Sequence, residues 1–219
     1  MKTILISGCA VFIGCNLIER LIVENKIIGI DNFYSSSKHK LSGFMNNKNF
    51  KFIESDINTI TSIDEKIDII YNLACPASPP RYQSAPIFTL KTNFIGTINL
   101  LDLAKKNSSI FIQASTSEVY GDPLVHPQNE NYSGNVVTMG PRSCYDEGKR
   151  VAETLCYEYR RNFNVQTRVL RIFNTYGPYM DIDDGRVISN FLVNVIKNKP
   201  LEIYGDGTQT RSFCYIDDL

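Results

Sequence analysis

The sequence lacks the residue types and patterns on which several classes of binding site depend. It has no tryptophan, two histidines, and six cysteines that form neither a Cys-x-x-Cys pair nor a Cys/His cluster of zinc spacing, so we expect no metal site. Lysine plus arginine and aspartate plus glutamate both number 23, and a net charge of zero gives no reason to expect a nucleic-acid partner. The cysteines are expected to be reduced thiols of a cytoplasmic protein.

Long apolar runs are also absent. No stretch approaches the roughly 18 apolar residues that a membrane-spanning helix needs, so no membrane partner is expected. The apolar start of the chain, with the single charge of Lys2, is superficially typical of a signal peptide, but it continues as an amphipathic pattern. With 219 residues, of which 43% are hydrophobic, the chain is long enough for one well-buried domain, or for one domain and a fragment of another.

The first 31 residues follow the order of a dinucleotide-binding unit. Residues 2–7 predict a buried strand closed by Gly8, residues 12–24 an amphipathic helix, and residues 26–30 a second strand followed by Asp31. An acidic residue about 20 positions beyond the glycine loop can accept a hydrogen bond from a ribose 2′-hydroxyl. It would repel a 2′-phosphate, so the sequence predicts NAD rather than NADP.

The glycine loop departs from its usual spacing. Gly-x-x-Gly-x-x-Gly is expected, and the chain has Val11 at the middle position between Gly8 and Gly14. The middle glycine normally lets the backbone approach the pyrophosphate of the cofactor. A β-branched residue at positive φ would be strained, which leaves open the interpretation that cofactor binding is weakened.

Later apolar runs complete the pattern of a Rossmann-like, doubly wound parallel sheet with helices on both faces. Strands are predicted at residues 50–55, 66–73, 109–114 and 165–172, and long helices at 85–106 and 142–162. Residues 74–80 and 122–141 are predicted to be loops. From residue 174 the sequence is rich in turn-forming residues, with a helix predicted at 187–197. We therefore predict an NAD-binding domain at 1–173 and a partial substrate-binding region at 174–219.

Tyr145 and Lys149 are the candidate catalytic pair. Residues four apart lie on one helix face, and a nearby ammonium is expected to lower a tyrosine pKa towards the range of a general base. Residues 115–118 add hydroxyls and a carboxylate at the predicted carboxyl end of a strand, where ligands bind in open α/β sheets. Taken alone, a Tyr-x-x-x-Lys pair is also common on solvated helix surfaces.

Together these motifs resemble the extended short-chain dehydrogenase/reductases, and among them the UDP-glucuronate decarboxylases. The resemblance covers the whole chain and is most specific at residues 76–80, 114–123, 140–142, 144–154, 171–175 and 184–187. Related dehydratases usually have Thr-Asp-Glu where this chain has Thr116-Ser117-Glu118, and related epimerases lack the glutamate.

The resemblance implies a mechanism and a set of site residues. Tyr145, activated by Lys149 and assisted by Thr116, would remove the proton of the sugar 4-hydroxyl during oxidation by NAD. The 4-keto intermediate would then lose CO2 beside Ser117 and Glu118, and bound NADH would reduce the ketone to give UDP-xylose. The resemblance assigns NAD to Gly8, Phe12, Ile13, Gly14, Asp31, Asn32, Asp56, Ile57, Leu73, Thr92 and Thr175. It assigns UDP-glucuronate to Lys91, Asn174, Arg186, Val187, Tyr204, Gln209 and Arg211.

The resemblance also implies a homodimer, formed through the two long helices. Two departures accompany it, since Cys15-Asn16 replaces the usual Ser-His and the family chains continue past Leu219, where they contribute an arginine near the reacting carboxylate. The chain is therefore expected to be truncated. Cys15 is expected to serve packing rather than chemistry. The alternatives are a catalytically compromised nucleotide-sugar-binding relative, or a sugar-nucleotide 4,6-dehydratase or 4-epimerase.

Overall fold

The computed structural model describes residues 1–219, in which six parallel strands form the central sheet. The strands are Thr3–Ser7 (β1), Lys26–Asp31 (β2), Phe50–Glu54 (β3), Ile69–Asn72 (β4), Ile110–Thr116 (β5) and Gln166–Ile172 (β6). Their order in the sheet is β3-β2-β1-β4-β5-β6, which places the reversal of strand order between β1 and β4. The predicted fold class is confirmed, and ligands of such sheets bind at this reversal.

The helices pack against both faces of the sheet. They are Phe12–Leu21 (α1), Pro79–Ser84 (α2), Pro86–Lys91 (α3), Thr97–Asn107 (α4), Ser143–Phe163 (α5) and Val187–Ile196 (α6). The predicted helix 85–106 is α3 and α4 joined by a π-helical turn, Thr92–Gly96. The predicted loop 74–80 is wrong at its end, because Pro79 and Pro80 occupy the first turn of α2, where a proline removes no helical hydrogen bond.

Two apolar layers hold these helices to the sheet. Leu5 and Ile70 point to the layer that contains Leu100 of α4, whereas Ile6 points to the layer that contains Ile18 of α1. Burial on both faces explains why the strands read as nearly continuous apolar runs. Several boundaries differ from the sequence prediction; α1, for example, ends at Leu21, whose carbonyl accepts a 3.0 Å hydrogen bond from Asn25 Nδ2.

Beyond Phe173 the chain leaves the central sheet. Asn174–Tyr176 (β7) and Phe213–Tyr215 (β8) pair in a separate two-stranded sheet, with α6 between them in sequence. The segment after β7 docks on the first half of the chain, where Lys40 Nζ lies 2.7 Å from Asp181 Oδ1. The predicted division of the chain at residues 173 and 174 remains a prediction.

The helices are too short or too polar to cross a lipid bilayer. All six cysteines are unpaired, and no group of histidine, cysteine, aspartate and glutamate has the geometry of a metal site. The cytoplasmic location expected from the sequence remains a prediction.

A substitution at Gly14 tests how tightly α1 is packed against the glycine loop. A Cβ at Gly14 would overlap the Gly8 carbonyl oxygen and lie 2.8 Å from Cys9 Cα, whereas a Cβ at Gly43 would meet no atom. We expect Gly14→Ala to lower the free energy of unfolding by about 2 kcal/mol, since backbone atoms must shift to accommodate the methyl group. Gly43→Ala is the matched control and should change it by less than about 0.5 kcal/mol. Equal urea midpoints for the two variants would contradict this packing.

Candidate active site

The carboxyl edge of the sheet carries a cleft of about 300 Å³ that brings the candidate catalytic residues together. Tyr145 and Lys149 reach it from α5, and Thr116 lies at the end of β5. Ser117 and Glu118 follow in a short 3-10 helix that Thr116 caps, its hydroxyl accepting a 3.3 Å hydrogen bond from the Glu118 amide. All five residues line the same cleft.

Lys149 lies beside Tyr145 in the buried part of the cleft. Its Nζ donates a 2.9 Å hydrogen bond to the Ala114 carbonyl and lies 5.8 Å from the centre of the Tyr145 ring. Burial raises the pKa of Tyr145 well above that of a solvated phenol, outweighing the opposite effects of the Thr116 hydrogen bond and the Arg186 charge. The pKa of Tyr145 is therefore raised rather than lowered in this structure, because desolvation dominates, and the activation of Tyr145 by Lys149 stays a prediction.

A second tyrosine packs against the candidate catalytic tyrosine. The rings of Tyr82 and Tyr145 are stacked, with centroids 5.0 Å apart and planes 10° from parallel. Cys144 and the partly buried Cys75 complete this apolar cluster. Tyr82 lies on α2 and was not a sequence candidate, because residues 79 and 80 were predicted to end a loop and residues 81–84 were assigned to no element. The available signal was the Pro79-Pro80 pair, which is typical of a helix start.

The arginines of the cleft are all paired with acidic residues. Arg142 forms an ion pair with Glu118 and lies 3.8 Å from Asp146, and Arg186 pairs with Asp184. Arg81 approaches Asp183 at 3.6 Å. Arg81 and Arg142 line the cleft although neither was a sequence candidate. Their positions in the sequence could not show that these arginines line the cleft, since surface arginines are common.

A narrower pocket beside the cleft contains most of the candidate cofactor residues. Gly8, Asp31, Asn32, Asp56, Ile57 and Thr92 line this pocket. Phe12, Ile13 and Leu73 line the main cleft instead. Val11, Ser35 and Cys75 line both, so the two spaces adjoin. Gly14 and Thr175 line neither; Gly14 packs under the loop and Thr175 is buried in β7.

The glycine loop is not strained at its unusual position. Val11 has φ −94° and ψ 171°, an extended conformation that a valine adopts readily, so the strain anticipated from the sequence is wrong. The tight position is Gly8, with φ +68°, where a Cβ would lie 2.9 Å from the Ala74 nitrogen. The first turn of α1 holds no acidic residue, which leaves the helix N-terminus free to attract a phosphate.

The carboxylate of Asp31 stabilises this loop through hydrogen bonds. One carboxylate oxygen accepts a 2.9 Å hydrogen bond from the Ala10 amide, and the other accepts bonds from the Phe33 amide and the Ser36 hydroxyl. Asn32 donates to Asp56, 3.0 Å away, and continues the polar floor of the pocket. A compact loop, an open helix N-terminus and a carboxylate at the end of β2 fit a dinucleotide with a free ribose 2′-hydroxyl.

The candidate substrate residues occupy two regions. Asn174 and Arg186 line the main cleft, while Val187, Tyr204, Gln209 and Arg211 line a second cleft beside α6. Gln209 Nε2 donates a 2.9 Å hydrogen bond to the Tyr204 carbonyl and closes the polar loop of this second cleft. Lys91 is exposed at the end of α3 and lines neither cleft.

Cys15 serves packing, as its burial indicates. It lies in the apolar layer beneath α1, and burial raises the pKa of its thiol to about 12. A thiol of this kind is not a nucleophile near neutral pH.

The sequence of the chain is similar to known families over nearly its whole length. Residues 4–219 match the NAD dependent epimerase/dehydratase family. UDP-glucuronic acid decarboxylase 4 of Arabidopsis thaliana is 51% identical over 217 residues, which are 99% of this chain and 48% of that protein. UDP-glucuronic acid decarboxylase 1 of Danio rerio is 49% identical over 100% of this chain and 52% of its own length. The chain thus spans about half the length of these relatives.

Solved structures show the same fold. The UDP-glucuronic acid 4-epimerase of Bacillus cereus, in complex with UDP-glucuronic acid and NAD, is 31% identical with a TM-score of 0.85, covering 98% of this chain and 69% of that one. A UDP-N-acetylglucosamine 4-epimerase of Methanobrevibacter ruminantium is 29% identical with a TM-score of 0.88, over 98% and 69% of the two chains.

The protonation of Tyr145 has a measurable effect on stability. Because its pKa is raised above the 10.0 of a solvated phenol, the folded protein binds this proton more tightly than the unfolded chain. This contribution to the free energy of unfolding is complete below pH of about 10 and is lost as the pH rises towards the folded pKa. We expect the wild type to lose stability relative to Tyr145→Phe above that pH in urea unfolding. A gap between the two that is independent of pH would contradict the raised pKa.

Proposed function

The chain belongs to the NAD dependent epimerase/dehydratase family, and from this premise we propose that it converts UDP-glucuronate to UDP-xylose with NAD as its resident cofactor. The observation that carries the proposal is the single cleft lined by Tyr145, Lys149 and Thr116 together with Ser117 and Glu118. The UDP-glucuronic acid decarboxylases, which are 51% and 49% identical to this chain in sequence, support this reaction over others of the family.

The proposed proton transfers centre on Tyr145. Bound NAD would supply a hydride acceptor for C4 of the sugar and a positive charge beside the phenol. As the phenolate, which this positive charge and that of Lys149 would favour, Tyr145 would accept the proton of the 4-hydroxyl and return it when the ketone is reduced. Thr116, in the same cleft, would bond the phenol and fix its direction, while Lys149, held by the Ala114 carbonyl, would contribute a positive charge to the same buried site.

Loss of CO2 follows from the position of the ketone. A carbonyl at C4 is β to the carboxylate on C5, so the electrons of the breaking bond can move into the carbonyl oxygen. C5 must then take up a proton in place of CO2. Ser117 and Glu118 are the polar residues proposed to hold or deliver that proton, and the ion pair with Arg142 restrains the Glu118 carboxylate.

The nucleotide is proposed to bind along the C-terminal region. Arg186 and Asn174 would meet the sugar end, and the second cleft, with Tyr204, Gln209 and Arg211, would hold the UDP. Arg186 lines the main cleft and Val187 lines the second cleft, so the two clefts lie next to each other at the start of α6, where the proposed ligand would pass between them. The role proposed for Lys91 has no support from its position on the exposed end of α3.

Proton NMR of the sugar anomeric signals tests the reaction. We expect the chain, incubated with UDP-glucuronate and NAD, to produce UDP-xylose, and Tyr145→Phe to slow this by at least about 100-fold because the general base is lost. UDP-galacturonate as the product would support a 4-epimerase instead. Unchanged substrate, with NAD shown to be bound, would favour a nucleotide-sugar-binding relative without activity.

Val11→Gly tests whether the unusual glycine loop weakens NAD binding. Since Val11 is unstrained, we expect its replacement to change NAD affinity less than ten-fold, about 1.4 kcal/mol. A larger gain in affinity, measured by calorimetry, would favour the compromised relative.

We also propose that the chain pairs with a second copy through α3, the π-helical turn, α4 and α5. Apolar side chains are exposed on α3 (Ile87 and Leu90), on the π-helical turn (Phe94 and Ile95) and on α5 (Tyr157). α5 contacts α3, the π-helical turn and α4 within one chain, so these side chains belong to neighbouring helices. Two such surfaces would form a four-helix interface between copies.

Sedimentation tests this pairing. We expect a wild-type dimer and a monomeric Phe94→Asp variant, because a carboxylate would be buried in an apolar interface. Val23→Asp, at an exposed valine just after α1, is the matched control and should leave the dimer intact. A wild-type monomer at high concentration would contradict the proposal.

A further inference from the structure

Residues 178–186, which we call the strap, bridge the main cleft. The starts of α1 and α2 and three residues of the strap line this cleft. The strap begins beside α1 and ends on α2, where Arg81 Nη2 lies 3.6 Å from Asp183 Oδ2. A Cβ at Gly185 would lie 3.6 Å from Pro80 Cγ, so the strap is also in close contact with the first turn of α2.

Two side chains from outside the cleft hold the beginning of the strap. Asn16 of α1 donates a 2.9 Å hydrogen bond from Nδ2 to the Pro178 carbonyl. Lys40, between β2 and β3, donates a 2.9 Å hydrogen bond to the Tyr179 carbonyl, and its Nζ lies 2.7 Å from Asp181 Oδ1. The Tyr179 ring packs on the apolar layer beneath α1. The path of the main chain is therefore fixed by two residues that line neither cleft.

Lys40 is unusually buried for a lysine. Its side chain is 13% exposed, whereas that of Lys51, which pairs with Glu65, is 58% exposed. A buried ammonium requires partners, and both partners of Lys40 belong to the strap. Exposed ion pairs contribute little to stability, whereas the contacts of a largely buried ammonium are screened less by salt. Lys40 is therefore well placed to keep the strap in one position.

The strap brings charged side chains to the main cleft. Asp181, Asp184 and Arg186 line the cleft, and Arg186 directly precedes α6. A ligand that had to order a free strap would lose affinity, because ordering a loop costs conformational entropy. If only a fraction of the molecules held Arg186 in place, the apparent affinity would fall by that fraction. Contacts that fix the strap beforehand remove this loss.

We propose that Lys40 and Asn16 are positioning residues, which hold the strap across the cleft and thereby place Arg186 for the nucleotide sugar. This role rests on the proposed function, which supplies the ligand of Arg186. Both residues act only through the strap, since neither lines the cleft. Substrate affinity therefore depends on a lysine and an asparagine that the substrate does not touch.

Calorimetry of UDP-glucuronate binding tests this role, with NAD present and in a Tyr145→Phe background that prevents turnover. We expect Lys40→Met, which keeps the apolar stem and removes the ammonium, to weaken UDP-glucuronate at least about five-fold and to leave NAD affinity within about two-fold. Asn16→Ala should act in the same direction. Lys51→Met is the matched control, because it removes an ammonium 2.6 Å from Glu65, and it should change neither affinity.

A double-mutant cycle with Arg186 separates positioning from general damage. Because Lys40 acts through Arg186, Lys40→Met should weaken UDP-glucuronate by less than about two-fold once Arg186→Gln is present. Amide hydrogen exchange across residues 178–186 should also be faster in Lys40→Met than in Lys51→Met, since the strap opens more often.

An equal loss of UDP-glucuronate affinity from Lys40→Met in both backgrounds overturns the positioning role and leaves the proposed function standing. The same holds for a Lys40→Met variant whose thermal midpoint falls while its affinity for UDP-glucuronate is unchanged. A Tyr145→Phe parent that binds NAD but not UDP-glucuronate overturns the proposed function, and this role with it.

Discussion

The ammonium of Lys149 is almost completely buried, and the carboxyl edge of the sheet is built to hold it. An unpaired charge in such a place would be very costly, so the hydrogen bond to the Ala114 carbonyl is a condition for the site to exist. Gln113 donates to the same carbonyl and bonds to Asn72, which in turn bonds to Ser7. This chain of polar groups runs from β1, below the glycine loop, to α5. The candidate cofactor pocket and the candidate catalytic residues therefore share one hydrogen-bonded support.

A second polar cluster holds α5 against the sheet outside the cleft. Glu153, two helical turns beyond Tyr145, forms a paired contact with Arg171 of β6 and accepts a 2.5 Å hydrogen bond from the Ser115 hydroxyl. Arg171 also donates to the Tyr120 hydroxyl. Because Ser115 precedes Thr116, this cluster sets the distance between the end of β5 and α5. The alignment of Thr116 with Tyr145 thus depends on partly buried contacts outside the cleft.

The sequence predicted the features that depend on periodicity and spacing. Continuous apolar runs predicted the parallel strands, and the residues four apart were correctly expected on one helix face. Burial depends on the assembled fold, so the spacing of Tyr145 and Lys149 could not reveal that desolvation would raise the pKa of Tyr145. A motif also does not report backbone angles, and Val11 proved to be extended. Tyr82 and Arg142 went unrecognised because only the fold brings α2 to the start of α5.

Asp31 links cofactor choice to the shape of the loop. The carboxylate proposed to select NAD also accepts three hydrogen bonds, from the Ala10 amide, the Phe33 amide and the Ser36 hydroxyl. An engineer who replaced it to admit a phosphorylated ribose would remove those bonds at the same time. The preference for NAD over NADP and the folding of this loop cannot be varied independently here. A change of cofactor preference would therefore require compensating substitutions around residues 8–11.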